Sequence, residues 1–138
     1  LLGRPEAVTR VRIRTGSKPD LALEDNAILV LTYPHALATT EASWTQVGNL
    51  TSYCTTLYGS KGTLVIEPEE HGKITLATQE HPDGIEVTVP PLVDHLVNSG
   101  THFLAAIEDP ALEIHPLCRA ENGRGAQWIL EAGIKATR

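Results

Sequence analysis

Residues 26–33 read NAILVLTY, and this stretch decides the fold. Its apolar side chains alternate onto both faces, with Ala27 and Leu29 on one side and Ile28 and Val30 on the other. Successive side chains of a strand point to opposite faces of a sheet. Apolar residues on both sides therefore predict a central strand that is covered on each face.

The chain turns back after this strand, because Pro34 and His35 are turn residues. Residues 37–46 then alternate in polarity and predict an antiparallel partner strand. Trp44 falls on the less polar row of this second strand, so we expect it in the core. The polar row consists of four residues: Thr39, Glu41, Ser43 and Thr45.

Turn residues at short intervals divide the rest of the first two thirds into further strands. They are expected at residues 7–15, 51–57, 63–67, 73–78 and 85–89. Helical periodicity follows, first over residues 94–107 and then from Arg119 onward. The sequence thus predicts an α+β fold, with an open-faced, mostly antiparallel sheet of six to seven strands and two C-terminal helices packed on one face. Residues 1–138 are expected to form a single domain.

Two helices cover only one face of such a sheet. Apolar side chains left in water on the other face would cost on the order of 25 cal/mol per Å². The uncovered face is therefore predicted to meet another domain, another subunit or a ligand.

The composition excludes several classes of partner. The formal net charge of −6 argues against binding to nucleic acid and to an anionic membrane. Cys54 and Cys118 are too few for a disulfide framework, so a reducing cytoplasm is the expected location. The sequence contains no methionine. Leu1 is therefore expected to be a processed end or an internal cut, and we favour a fragment of a longer chain.

The six histidines are interpreted as structural or surface residues. His95 and His102 lie seven residues apart, about 10.5 Å along a helix, which is too far for a shared zinc ion. A solvated helix flank is the preferred interpretation of both. His35, His71 and His81 are expected at the surface, and His115 in a loop before the last helix. No metal site is predicted.

The segment GSKGT at residues 59–63 lacks the spacing of a phosphate-binding loop, so a hairpin turn is favoured. Neither cysteine has an activating base near it in the sequence, so both are interpreted as small core or strand residues.

Two rows of polar side chains keep alternative interpretations. The row Thr39, Glu41, Ser43 and Thr45 is either the lining of a polyol pocket or subunit interface, or an exposed sheet face. A second row, Arg10, Arg12 and Arg14, either meets an acidic partner or belongs to a solvated edge strand.

Five segments, in this order, resemble the C-terminal domain of the Gfo/Idh/MocA oxidoreductases. They cover nearly the whole chain: EDNAILVL (24–31) with ASW (42–44), YGSKGTL (58–64), HFLAAI (102–107), HPLC (115–118) and QWILEA (127–132).

The resemblance implies a C-terminal substrate and dimerisation domain that follows a Rossmann domain binding NAD or NADP. It further implies a homo-oligomer formed through the open sheet face, and a sugar, inositol or related polyol as substrate. This chain lacks the glycine-rich dinucleotide turn, the family's Glu-Lys-Pro lysine and its Asp…His pair. We therefore expect no catalytic, cofactor-binding or metal-binding residue within it, with NAD or NADP bound only by a full-length protein. The alternative is a free-standing small-ligand-binding or dimerisation module without redox activity.

Overall fold

A computed structural model of the chain describes residues 2–15, 20, 22–48, 53–67 and 72–136. They divide into two compact units, Leu1–Val47 with Ser99–Arg138 and Gly48–Asn98. The first unit contains strands β1 (Ala7–Ile13), β2 (Asn26–Tyr33) and β3 (Ala36–Ser43), followed by helices α1 (Ser99–Glu108) and α2 (Ala120–Lys135). The second unit contains strands β4 (Thr55–Gly59), β5 (Gly62–Ile66), β6 (Ile74–Ala77) and β7 (Ile85–Glu86).

The sheet of the first unit has the strand order β1-β2-β3, with both pairs antiparallel. Its register places Arg10 opposite Leu29 and Leu29 opposite Thr40. Residues that face each other across strands share a side of the sheet. One side therefore carries Val8, Arg10 and Leu29, and helix α2 packs against β1 from this side.

Helix α2 approaches the sheet closely because it presents a glycine there. A Cβ atom on Gly133 would lie 2.8 Å from Cδ2 of Leu29, which is well inside van der Waals contact. Leu29 is only 8% exposed and is the most deeply buried of the large aliphatic side chains in the described part of the chain. The contact between Gly133 and Leu29 is therefore the centre of this small core.

Arg10, the first residue of the arginine row, lies under this helix, whereas Arg12 and Arg14 are exposed. The side chain of Arg10 is 9% exposed and forms an ion pair with Glu24, and Arg12 Nη1 lies 3.3 Å from the other carboxylate oxygen of Glu24. Neither alternative for this row is right for Arg10, because its acidic partner belongs to the same unit.

The second unit is a four-stranded antiparallel sheet with the order β4-β5-β6-β7. Its register gives the two sides different chemistry. Leu57, Leu64 and Leu76 follow one another across the strands on one side, and Tyr58 lies opposite Thr63 on the other. Residues 60 and 61 form the turn between β4 and β5, so the predicted hairpin turn is confirmed.

The α+β fold class, the antiparallel strands and the two C-terminal helices are confirmed. The seven strands are distributed over two hydrogen-bonded sheets. The first predicted helix begins later than expected: Asp94–Leu96 is one 3-10 turn, and α1 begins at Ser99. The interruption falls at Val97 and Asn98, and both valine and asparagine have low helix propensity. None of the helices in the described residues has the length and apolar character needed to cross a membrane.

Candidate functional site

The side of the three-stranded sheet opposite α2 is exposed, and we call it the open face. Strand alternation and register assign to it twelve residues: Ala7, Thr9, Val11, Ile13, Asn26, Ile28, Val30, Thr32, Leu37, Thr39, Glu41 and Ser43. Its large apolar side chains are solvent-accessible, with exposed fractions of 63% for Val11 and 68% for Leu37. The uncovered sheet side expected from the sequence is therefore present in the first unit.

The predicted polar row occupies the β3 edge of the open face. Thr39, Glu41 and Ser43 are exposed and share this face, as the alternation predicts. Thr45 lies beyond the strand, where its hydroxyl donates to Asn26 Oδ1 at 3.2 Å and is 3.0 Å from Ser43 Oγ. Ser43 and Thr45 thus form a hydrogen-bonded group with Asn26 at the end of the sheet.

Thr39 and Glu41 are available for an external partner, because neither side chain hydrogen-bonds to another residue in the described ranges. Glu41 lies opposite Ile28, and Thr39 lies opposite Val30. The polar row is therefore bordered directly by apolar side chains.

The composition of this face, with exposed apolar side chains next to polar ones, resembles that of protein contact surfaces. Small-molecule sites are concave and bury most of their ligand. Exposed apolar side chains rimmed by polar ones are typical of protein–protein contacts.

Trp44 corrects one expectation, since it is 63% exposed and not in the core. Strand β3 ends at Ser43, so the alternation that assigned Trp44 to the inner face has already stopped. Its backbone N–H donates to the Asp25 carbonyl at 2.8 Å and ends the sheet.

Asp25 is a buried acidic residue that sequence reasoning did not single out. It is 3% exposed, and its carboxyl oxygens accept hydrogen bonds from the Thr15 N–H at 3.0 Å, the Thr15 hydroxyl at 2.7 Å and the Asn26 side-chain amide at 2.9 Å. An acidic residue directly before the most apolar strand was the available signal. Asp25 joins the end of β1 to the start of β2, so its role is structural.

His102 is also buried, at 3% exposure, whereas a solvated helix flank was expected. Its Nε2 accepts a hydrogen bond from the backbone N–H of His115 at 3.1 Å. Helix α1 can bury this polar side chain because His102 accepts a hydrogen bond from the backbone of the loop before α2.

His35, His81 and His115 follow the sequence expectation, whereas His95 is half-buried in the 3-10 turn Asp94–Leu96 and does not lie on a solvated helix flank. His35 and His81 are exposed, and His71 lies outside the described residues. His115 lies in the loop before α2, where its Nδ1 accepts from the Leu117 N–H at 3.3 Å. Within the described ranges, no three His, Cys, Asp or Glu side chains come together as a metal site would require.

The two cysteines differ from their predicted placement. Cys54 and Cys118 are free thiols, and both are exposed. Cys54 precedes β4, and Cys118 ends a short 3-10 helix, Pro116–Cys118. Neither belongs to the core or to a strand, because both fall at the ends of elements.

The closely spaced glycines near the C-terminal end do not lie at a dinucleotide-binding turn. The motif that binds a pyrophosphate needs glycines at a strand-to-helix turn. The closely spaced Gly123 and Gly125 lie instead inside α2.

Comparison with solved structures finds the same fold in another protein. The chain superposes on the Bacillus subtilis protein named "putative oxidoreductase yvaA", in its triclinic crystal form, with a TM-score of 0.64 and 19% sequence identity. The match covers 99% of this chain and 45% of that protein. At this identity the likeness shows a shared fold, and this chain spans less than half the length of its structural neighbour.

No family model matches the chain, and no curated protein matches it.

Proposed function

We propose that this chain is the substrate-wall and subunit-contact domain of an NAD(P)-dependent oxidoreductase that acts on a sugar, an inositol or a related polyol. The observation that carries the proposal is the fold likeness to a protein named as an oxidoreductase, which extends over 99% of this chain. The order of the five sequence segments supports the same assignment.

The division of labour follows from what the chain contains. The chain supplies a sheet with an open face, and nucleotide binding and hydride transfer belong to a Rossmann domain in the full-length protein. The open face supports a homo-oligomer, because exposed apolar side chains next to polar ones suit a second protein surface.

The test is to express the complete native reading frame and supply it with NAD⁺ or NADP⁺ and a panel of sugars, inositols and linear polyols. Formation of reduced nicotinamide, measured by its absorbance, is the expected result. The 138-residue chain alone serves as the control and should give no turnover. A complete protein that leaves both nucleotides oxidised with every polyol, and binds neither of them, would refute the proposal.

A dimerisation module without redox activity is the second candidate. It is favoured by one observation, the four exposed apolar side chains of the open face, Val11, Ile13, Ile28 and Leu37. This candidate requires self-association of the chain and an open reading frame that begins near Leu1. Nucleotide binding by the complete protein would exclude it.

A further inference from the structure

An open cleft lies at one end of the four-stranded sheet, beside the turn between β4 and β5. Its volume is about 410 Å³, and it is lined by Ser60, Lys61, Thr78, Gln79 and Glu80. Small-molecule sites occupy roughly 300–1,000 Å³, so the cleft is large enough for a small ligand.

Every residue that lines the cleft brings a polar group. Ser60 and Thr78 carry hydroxyls, Gln79 carries an amide, and Lys61 and Glu80 carry opposite charges. Thr78 is partly engaged, because its hydroxyl accepts from the His81 N–H at 3.2 Å. The side chains of the other four make no hydrogen bond or ion pair within the described residues. Their donors and acceptors are therefore free for a ligand.

The shape of the cleft is set by close backbone packing. A Cβ atom on Gly62 would lie 2.5 Å from the Ala77 carbonyl oxygen, so the β4–β5 turn is held tightly against the end of β6. On the other side, the Thr78 and Gly84 N–H groups both donate to the His81 carbonyl, at 3.1 and 3.0 Å. The two turns that carry the lining residues are thus each fixed by backbone contacts.

An aromatic side chain borders this end of the sheet. Tyr58 is 85% exposed, lies two residues before Ser60 and is paired with Thr63 across the hairpin. An exposed tyrosine offers a flat apolar ring together with a hydroxyl group.

We propose that this cleft binds a small neutral polyol or monosaccharide. Adjacent hydroxyl groups both donate and accept, which matches a carboxylate, an amide and an ammonium group placed together. The charges of Lys61 and Glu80 offset each other, so a neutral ligand suits the cleft better than a phosphate or a dicarboxylate. This site is separate from the open face and requires no nucleotide, so it stands independently of the proposed redox function.

The test is an NMR titration of the 138-residue chain, labelled with ¹⁵N, against glucose, glucitol and myo-inositol. We expect at least one of them to shift the backbone amides of Lys61, Gln79 and Glu80 saturably, with a millimolar dissociation constant. Glu80→Ala and Lys61→Ala should each weaken that binding by roughly tenfold, because each removes a charge-assisted hydrogen bond.

Lys73→Ala is the matched control, since Lys73 belongs to the same unit but pairs with Glu67 outside the cleft. It should bind as the parent chain does. The amide spectrum of each variant reports its fold independently of binding. The proposal is wrong if none of the three probes shifts the cleft amides saturably. Shifts confined to other residues, or binding that both cleft variants leave unchanged, would also overturn it. The titration contains no nucleotide, so a negative result would not test the proposed oxidoreductase function, which has a separate assay.

Discussion

At the scale of single residues, Asp25 joins three strand ends through its side chain and its backbone. Asp25→Ala should lower the free energy of unfolding by about 3 kcal/mol, because it removes a buried carboxylate that accepts hydrogen bonds from Thr15 and Asn26. Asp25→Asn keeps one acceptor oxygen and should lose less. Urea denaturation followed by circular dichroism measures both. Asp20→Ala, at an exposed aspartate, is the control. Equal stability of the Asp25 and Asp20 variants would contradict this role.

Two glycines in α2 offer a matched comparison at the same scale. A Cβ atom added to Gly123 would meet no other atom within 4 Å, whereas one added to Gly133 would lie 2.8 Å from Leu29. Gly123→Ala should therefore stabilise the chain by about 0.5–1 kcal/mol through helix propensity alone. Gly133→Ala should reverse the sign, since overpacking costs about 1–3 kcal/mol. Thermal unfolding measures the change in midpoint for each variant. Equal shifts of the two midpoints would show that α2 does not pack closely against Leu29.

At the scale of elements, α1 turns its apolar stripe toward solvent. Phe103, Leu104 and Ile107 are 66%, 58% and 60% exposed, while His102 is buried. Replacing Phe103 and Ile107 with serine should change the free energy of unfolding by no more than about 0.5 kcal/mol per residue, as expected for surface positions. His102→Ala, in the same helix, should be clearly destabilising. A loss of about 3 kcal/mol or more at Phe103 would mean that the stripe is part of the core.

Helix α2 carries a pH-sensitive pair one turn apart. Lys135 Nζ lies 2.6 Å from Glu131 Oε1, and this hydrogen bond, together with the lysine's charge, lowers the pKa of Glu131 from its ordinary value of 4.5. A carboxyl group with a lowered folded-state pKa stabilises the fold above its unfolded pKa. That contribution is lost as the pH falls through the lowered value. In Lys135→Ala, an NMR titration should show the pKa of Glu131 returning toward 4.5. An unchanged pKa would exclude this pairing.

At the scale of the whole molecule, the open face should direct self-association. Thr39→Lys combined with Ser43→Lys places two like charges on each copy's open face, which should convert an associated chain into a monomer without altering its circular dichroism. A stable dimer needs about 800 Å² buried per subunit, enough to cover much of such a face. Light scattering measures the mass, with Gln127→Lys on the exposed surface of α2 as the control. An unchanged mass in the double variant would remove the open face as the contact.

The positions of β2 and β3 were predictable to within a few residues because their cause is local. The alternation of NAILVLTY and of the segment after Pro34 needs only neighbouring residues, and β2 spans the residues expected of it. The same alternation correctly placed Thr39, Glu41 and Ser43 on one face. It failed at Trp44, since a period carries no information about where a strand ends.

What the sequence by itself determined is therefore the order and type of the elements, the antiparallel pairing of neighbouring strands and the presence of an uncovered sheet face. Tertiary structure alone decided which groups are buried. Arg10 forms an ion pair with Glu24 beneath α2, and His102 accepts a hydrogen bond from the backbone of His115. Asp25 found Thr15. The two members of each pair are at least ten residues apart in the sequence. Each buried polar group therefore depends on a hydrogen bond or ion pair that forms only in the folded chain. Periodicity ranks such side chains as solvent-facing because burying a polar group without its partner is costly.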